Sequence, residues 1–230
     1  TTENEGSELW TSDGTEAGTV IVKDIASGNK STYPMHLIAF HDSVYFFGMD
    51  KNYSIWKSDG SDSGTYIIKD NLRIDADMAQ FKNELYLFGS EGEIFKSDGT
   101  MDGTTLVKDI YDESGLSYVS WLTVAGENLF FTRDDGTNGY ELWKSNGTEA
   151  GTLLVKDIYP GSGSSDGNYA DFSILNGLIY FMASDEVNGF ELWKSDGTEA
   201  GTVLVKDIKS GSLGSGPNNL TVVGATLFFS

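Results

Sequence analysis

One phrase of eighteen residues recurs five times along the chain and constrains its fold more than any other feature. The last copy reads ELWKSDGTEAGTVLVKDI. The aromatic residues of successive copies are separated by 46, 39, 48 and 50 residues, which is the period of a four-stranded propeller blade. The copies occupy residues 8–25, 54–71, 93–110, 141–158 and 191–208.

Each phrase is typical of two strands joined by a tight turn. In the last copy LWKS is the first strand, DGT the turn and TVLVKDI the second strand. Glycine supplies the positive φ that such turns need, and the preceding Asp can accept hydrogen bonds from the backbone ahead of it. The second strand is apolar on both faces, so both must be covered, as they are when blades pack face to face.

A second unit lies between the phrases and also occurs five times. It consists of an aliphatic strand, a small polar turn and an aromatic strand, so that two pairs of strands make one blade. The sequence starts with the outer pair of a blade and finishes with an inner pair. Pairing these two hairpins would remove the strand edges that invite aggregation, whereas an open solenoid would leave both exposed.

The sequence therefore predicts an all-β fold, a single five-bladed β-propeller with four antiparallel strands per blade. The N-terminal outer hairpin and the C-terminal inner hairpin are predicted to close the ring. The predicted blades are residues 219–230 with 1–25, then 32–71, 75–110, 117–158 and 169–208.

The phrase ELWKSDGTEAGTVLVKDI resembles the bacterial ELWxxDGT repeat family, and the similarity covers essentially the whole chain. The resemblance implies propeller-like repeats, an extracellular or cell-surface setting, neighbouring domains in a larger chain and no enzymatic activity. It offers no active-site residues to carry over. The copies depart from the family pattern at Ser54 in place of Glu, Phe95 in place of Trp and Asn146 in place of Asp.

Composition narrows the classes of partner. A formal net charge of -20 argues against nucleic acid, whose binding needs clustered Lys and Arg to replace counterions. Cations and neutral ligands are the more natural partners. The chain has no cysteine, which excludes disulfides and thiolate metal sites. No apolar run approaches the roughly 20 residues that span a bilayer, so no membrane insertion is predicted.

The residues that recur in every blade are predicted to be structural. The repeated tryptophans are predicted to lie in the core, and the Asp of each DGT turn is predicted to cap that turn, with calcium ligation as the lesser alternative. The Lys-Asp pair that ends the second strand of each phrase is predicted to make polar contacts between blades.

A ring of residues that differ from blade to blade is the candidate ligand-binding site. When the blades are aligned on their aromatic strands, one position falls just before each innermost strand, near one mouth of the predicted channel. An aromatic ring beside carboxylates and an amide suits stacking on a sugar. The alternative is that Asp and Asn cap the entry turn and that Trp121 plugs the channel. The ring consists of His36, Asp77, Trp121, Asp171 and Asn219.

Acidic loops on the same predicted face offer a candidate calcium site. Asp134, Asp135, Asp185 and Glu186 lie between the second and third strands of two blades. Several carboxylates with neighbouring amides can hold a hard cation through oxygen ligands. No EF-hand loop is present, and a solvated acidic rim is the alternative. The sequence requires no cofactor and leaves calcium as a candidate.

An enzymatic function has little support in the sequence. The two histidines, His36 and His41, lie in one blade, and no nucleophile elbow, zinc motif or phosphate loop occurs. The sequence favours a non-enzymatic extracellular module that recognises a glycan or protein at the loop face or mediates adhesion. The alternative is a structural unit of a large surface or filament protein. A glycosidase-like or lyase-like enzyme is a minor alternative, because two carboxylates suffice for that chemistry.

Overall fold

The computed structural model describes residues 6–71, 77–89, 92–110, 120–165 and 172–230. In this part of the chain there are β-strands and no helix, and therefore no helix that could cross a membrane. The strands are β1 (Trp10–Thr11), β2 (Val20–Ile21), β3 (Met35–Phe40), β4 (Ser43–Met49), β5 (Tyr53–Ser58), β6 (Tyr66–Lys69), β7 (Asp77–Phe81), β8 (Glu84–Phe88), β9 (Glu93–Ser97), β10 (Thr105–Asp109), β11 (Ser120–Ala125), β12 (Asn128–Asp134), β13 (Tyr140–Ser145), β14 (Leu153–Lys156), β15 (Ser173–Leu175), β16 (Leu178–Asp185), β17 (Gly189–Ser195), β18 (Val203–Lys206), β19 (Thr221–Val223) and β20 (Thr226–Phe228).

The strands form sheets in simple chain order. Strands β3–β6, β7–β10, β11–β14 and β15–β18 make four sheets of four strands, whereas β1–β2 and β19–β20 each make a sheet of two. This arrangement is β-propeller-like and confirms the predicted all-β class with blades of four antiparallel strands.

The chain divides into two compact units. One comprises Thr1–Ser90 with Phe95–Leu106, and the other comprises Glu91–Ile94 with Val107–Ser230. Each unit has its own apolar core between stacked sheets. The core of the first unit contains Phe40, Tyr45, Phe47, Ile55, Ile68, Met78, Leu85 and Leu87. The core of the second contains Ala125, Phe130, Leu142, Val155, Ile158, Ile179, Phe181, Ala183 and Trp193.

The repeated tryptophan joins one sheet to the sheet before it. Trp56 clusters with Leu9, Val22 and Ile25, which come from the preceding phrase of the same unit. The core prediction is confirmed for Trp56, Trp143 and Trp193, which are 5–7% exposed. Trp10 differs and is 37% exposed, because its sheet in the structure has only two strands.

The DGT turns owe their shape to a capping carboxylate, as the sequence predicts. Asp196 Oδ1 accepts hydrogen bonds from the backbone N (2.8 Å) and Oγ1 (2.7 Å) of Thr198, and these bonds hold the pKa of Asp196 below its ordinary value. A Cβ on Gly201 would lie 2.0 Å from Asp196 Oδ1, so the turn needs glycine there for space. Equivalent bonds form at Asp13, Asp59, Asp98 and Asn146.

The glutamate that opens the phrase is buried and secures the loop leaving the blade. Glu141 accepts hydrogen bonds from the backbone N of Ile158 (2.9 Å) and Tyr159 (3.1 Å) and from the Ser165 hydroxyl (2.7 Å). Burial nevertheless raises the pKa of Glu141 to about 7. Glu191 has similar partners, but hydrogen bonds outweigh its burial, and its pKa is lowered.

Lysines of the repeat bind main-chain carbonyls in the turn of the next sheet, which confirms the predicted contacts between blades for the lysine of each pair named below. The aspartates Asp24 and Asp157 instead accept backbone N–H groups of their own loops. In the first unit, Lys23 Nζ donates to the carbonyl oxygens of Asp62 (3.1 Å) and Thr65 (2.9 Å). In the second unit, Lys108 and Lys156 make the equivalent bonds to Thr152 (2.8 Å) and Thr202 (2.9 Å).

Candidate ligand-binding site

Two residues of the predicted ring meet in the first unit. His36 lies on β3 and Asp77 begins β7, the innermost strands of neighbouring sheets. His36 Nδ1 is 3.8 Å from Asp77 Oδ1, and the two side chains are 52% and 37% exposed. Asp77 Oδ1 also accepts the backbone N–H of Met78 at 2.8 Å. The sequence alignment thus identified two polar groups that are close in space and accessible to a ligand.

The backbone is strained at this position. His36 has φ of 51°, in the left-handed region that a non-glycine residue seldom adopts. It lies in a β-bulge, because the register between β3 and β4 shifts between Met35 and Ile38. Bulges redirect a side chain, and such strain is concentrated at functional sites. Asn219, the ring residue two positions before β19, has φ of 57°.

Two exposed residues adjoin His36 in the chain and were not found by sequence reasoning. Tyr33 and Leu37 are each 55% exposed, and Tyr33 has φ of 50°. The available signal was that residues 33–37 match no other segment of the repeat. We call these two residues together with His36 and Asp77 the mouth patch; Tyr33 and Leu37 belong to it by their closeness to His36 in the chain.

Of the other three residues of the predicted ring, the structure describes the side chain of Asn219. Trp121 lies on β11, and its side chain is outside what the structure describes. Asp171 also lies outside the described residues. Asn219 belongs to the second unit, is exposed, and donates a hydrogen bond to Ser230 Oγ at 3.2 Å.

Turn hydrogen bonds engage most of the carboxylates proposed to bind calcium. Asp135 Oδ1 accepts the backbone N–H groups of Thr137 and Asn138, and its Oδ2 accepts the Asn138 side-chain amide at 2.8 Å. Asp185 makes the same set of bonds with Val187 and Asn188. Burial opposes ionisation of both groups, but these bonds outweigh it and lower both pKa values.

The remaining members of the calcium set add no converging ligands. Asp134 Oδ1 accepts the backbone N–H of Gly136 at 2.8 Å, and Glu186 is exposed. Within the described ranges no three His, Asp or Glu side chains converge as metal ligands. The geometry assigns Asp134, Asp135 and Asp185 to hairpin turns, and calcium binding by this set stays a prediction.

No protein-family model and no curated protein matches the chain. Solved structures of three peptidases are similar in fold. One is a prolyl endopeptidase with 12% identity and a TM-score of 0.53, and the match covers 88% of this chain and 30% of the endopeptidase chain. A puromycin hydrolase has 10% identity and a TM-score of 0.53, and the match covers 86% of this chain and 30% of the hydrolase chain. A post-proline cleaving enzyme from Rickettsia typhi has 10% identity and a TM-score of 0.50, and the match covers 91% of this chain and 34% of the enzyme chain.

The chain thus spans about a third of the length of the solved structures it matches. At such low identity the similarity shows the fold alone, a β-propeller-like stack of four-stranded sheets.

Proposed function

We propose that this chain is a non-enzymatic ligand-recognition or adhesion module that binds a glycan or a protein through the mouth patch. The observation that carries the proposal is the 3.8 Å approach of His36 to Asp77 on neighbouring innermost strands. The repeat preserves its packing residues but varies here, and binding residues concentrate where a rigid scaffold presents variable segments.

The chemistry of the mouth patch suits recognition. Tyr33 and Leu37 offer accessible apolar surface within three residues of His36 in the chain, and the His36 imidazole lies near the Asp77 carboxylate. Polar groups that fix orientation next to an aromatic ring are typical of small-ligand sites. The resemblance to ELWxxDGT repeats supports an extracellular or cell-surface setting within a larger chain.

The two histidines bear on the enzymatic alternative. Neither His36 nor His41 is hydrogen-bonded to a serine or threonine hydroxyl in the described ranges, so the nucleophile-base pair of a hydrolase is not formed there. The structural-unit alternative is favoured by the lysine bonds between sheets, which stiffen the scaffold whether or not a ligand binds.

The test is binding to a glycan array, and by calorimetry to any hit, with His36→Ala and Asp77→Asn. We expect both variants to lose binding by about tenfold or more, since one hydrogen bond to a charged group is worth roughly 1.5–3 kcal/mol. His41→Ala is the matched control, because it removes the other exposed histidine, which lies in the turn after β3. We expect binding to survive EDTA, because Asp135 and Asp185 are engaged in turns.

If the folded wild type binds neither glycans nor a protein partner, the structural-unit function replaces the proposal. If it binds equally well with His36→Ala and Asp77→Asn, recognition occurs elsewhere on the chain.

We also propose that the chain forms five blades in a closed ring, with β19–β20 as the inner and β1–β2 as the outer strands of one blade. In three sheets a phenylalanine of the second strand pairs with the tryptophan of the third, and all six residues are at most 7% exposed. Phe229 and Trp10 occupy the equivalent positions but are 42% and 37% exposed. These half-sheets therefore present matching aromatic surfaces.

A disulfide tests this closure, because the chain has no cysteine of its own. Tyr45 pairs with Lys57 and Tyr180 with Lys194, so Phe228 is expected opposite Thr11. Partners in antiparallel strands have Cα atoms about 4.5–5.5 Å apart, which a disulfide can span. Thr11→Cys/Phe228→Cys should oxidise to a cross-linked monomer, with each single variant as control. A cross-linked dimer would show pairing between copies and contradict a closed ring.

A further inference from the structure

Two sheets of the second unit each bury a hydrogen-bond donor and an acceptor that have no partner among the described residues. Trp143 Nε1 lies on β13 and Asp157 Oδ1 directly after β14. Trp193 Nε1 lies on β17 and Asp207 Oδ1 directly after β18. Both tryptophans are more than nine-tenths buried. The pairs occupy the same two positions of the repeat, so they have one common explanation.

The strand register places each pair on one face of its sheet. Leu142 pairs with Lys156, so Asp157 lies opposite Glu141. Trp143 is two residues beyond Glu141 on β13 and therefore shares its face. The hydrogen bond from the backbone N of Ile158 to Glu141 keeps the chain beside Asp157 close to this face. Leu192 pairs with Lys206, which gives Trp193 and Asp207 the same relation.

Leaving these atoms unpaired would be costly. A buried polar group without a partner costs about 1–3 kcal/mol, and native proteins keep few of them. The neighbouring oxygen atoms are already engaged, since Asp157 Oδ2 accepts the backbone N–H of Gly161 at 3.3 Å and both Glu141 oxygens accept hydrogen bonds. A single group that satisfies both atoms must accept from the indole N–H and donate to Asp157 Oδ1.

We propose that each of these two sheets holds one buried water molecule that bridges the tryptophan Nε1 and the aspartate Oδ1. Water meets both requirements, because it accepts from the N–H and donates to the carboxylate. A metal cation does not, because it cannot accept the indole proton. Buried waters typically link two to four otherwise unsatisfied polar groups in this way.

The first unit supplies a built-in comparison. Trp56 Nε1 is likewise buried without a partner in the described residues, but Asp70 at the equivalent position is exposed. Ser54 also stands in place of the glutamate in that sheet. The bridge therefore requires a half-buried aspartate whose Oδ1 is buried, and Trp56 is the control tryptophan that lacks it.

The experiment is proton NMR of the tryptophan indole N–H groups in the wild-type chain, with signals assigned by Trp143→Phe, Trp193→Phe and Trp56→Phe. We expect the Trp143 and Trp193 N–H groups to exchange slowly with solvent and still show direct cross-peaks to a bound water. Asp157→Asn should shift the Trp143 signal while leaving that of Trp193 unchanged, and Asp207→Asn should do the reverse.

The wild-type spectrum alone can overturn the proposal, so it does not depend on a variant that folds. Slow exchange without a water cross-peak at Trp143 and Trp193 would show that no water is bound there. A crystal structure at atomic resolution with a direct bond from Nε1 to Oδ1 would overturn it equally.

Discussion

Replacing Gly48 with alanine should overpack the buried contact between Gly48 and Thr32. A Cβ at Gly48 would lie 2.6 Å from Thr32 Cγ2 and 3.2 Å from Trp56 Cδ1. The first distance is about 1 Å inside the 3.5–4.0 Å optimum for two carbon atoms. Thr32 is fully buried and donates to Glu8 Oε2 at 2.6 Å, so it cannot move without losing that bond.

The expected cost is about 1–3 kcal/mol, the usual range for an extra methyl group in a packed core. For a chain of this length that corresponds to a fall in Tm of roughly 2–12 °C. The second unit indicates a substitution that should relieve this clash. There the position equivalent to Gly48 is Ala183, and the position equivalent to Thr32 is Ser165. There the backbone N of Ser184 donates to the Ser165 carbonyl at 2.9 Å, as Met49 does to Thr32 at 2.8 Å.

Thr32→Ser should therefore rescue Gly48→Ala, since it removes Cγ2 and keeps the hydroxyl bonded to Glu8. Urea unfolding of the wild type, both single variants and the double variant gives the coupling energy. We expect the double variant to be about as stable as Thr32→Ser alone, a coupling of about 1–3 kcal/mol. Additive effects of the two changes would refute the steric argument.

Two further predictions concern buried polar groups. Burial raises the pKa of Glu141 to about 7 from 4.5, so its contribution to stability is fully present below pH 4.5 and is lost as the pH rises through 7. Between pH 5 and 7 the wild type should lose at most about 1.4 kcal/mol of unfolding free energy per pH unit through Glu141, and Glu141→Gln should abolish this loss in urea unfolding. Glu191→Gln should leave the pH dependence of stability unchanged over this range, because the pKa of Glu191 is lowered. The same pH dependence of stability in both variants would contradict this prediction. Lys156→Met should lose the 2.9 Å bond to the Thr202 carbonyl and about 0.5–1.5 kcal/mol of stability in the same assay, while the exposed Lys209→Met should be neutral; equal losses would argue against a specific bond.

The candidate site could be predicted only in part. Alignment of the repeat identified His36 and Asp77 at a position that varies between blades and is predicted to precede an innermost strand. The structure places both residues on that strand. The alignment could not show that their side chains approach to 3.8 Å, because that distance depends on how two sheets stack. It also missed Tyr33, which is exposed and has a left-handed backbone that no local motif signals.

The calcium hypothesis likewise depends on geometry that the sequence does not show. The sequence places Asp135 and Asp185 in acidic loops, where metal binding and turn capping have the same composition. Only the geometry shows that both oxygens of each carboxylate accept hydrogen bonds within the turn. A carboxylate engaged in this way has less capacity left for a cation.

The sequence by itself determined the four-stranded blade, the DGT turn and the burial of the repeated tryptophan. These features depend on alternation along a strand and on hydrogen bonds between residues two to four apart, which are visible in the order of residues. Only the tertiary structure decided which carbonyl each lysine binds, which glutamate has its pKa raised and which buried indoles lack a partner. Those outcomes depend on contacts between residues up to 54 apart, such as Tyr45 with Gly99, whose proximity is set by the stacking of whole sheets.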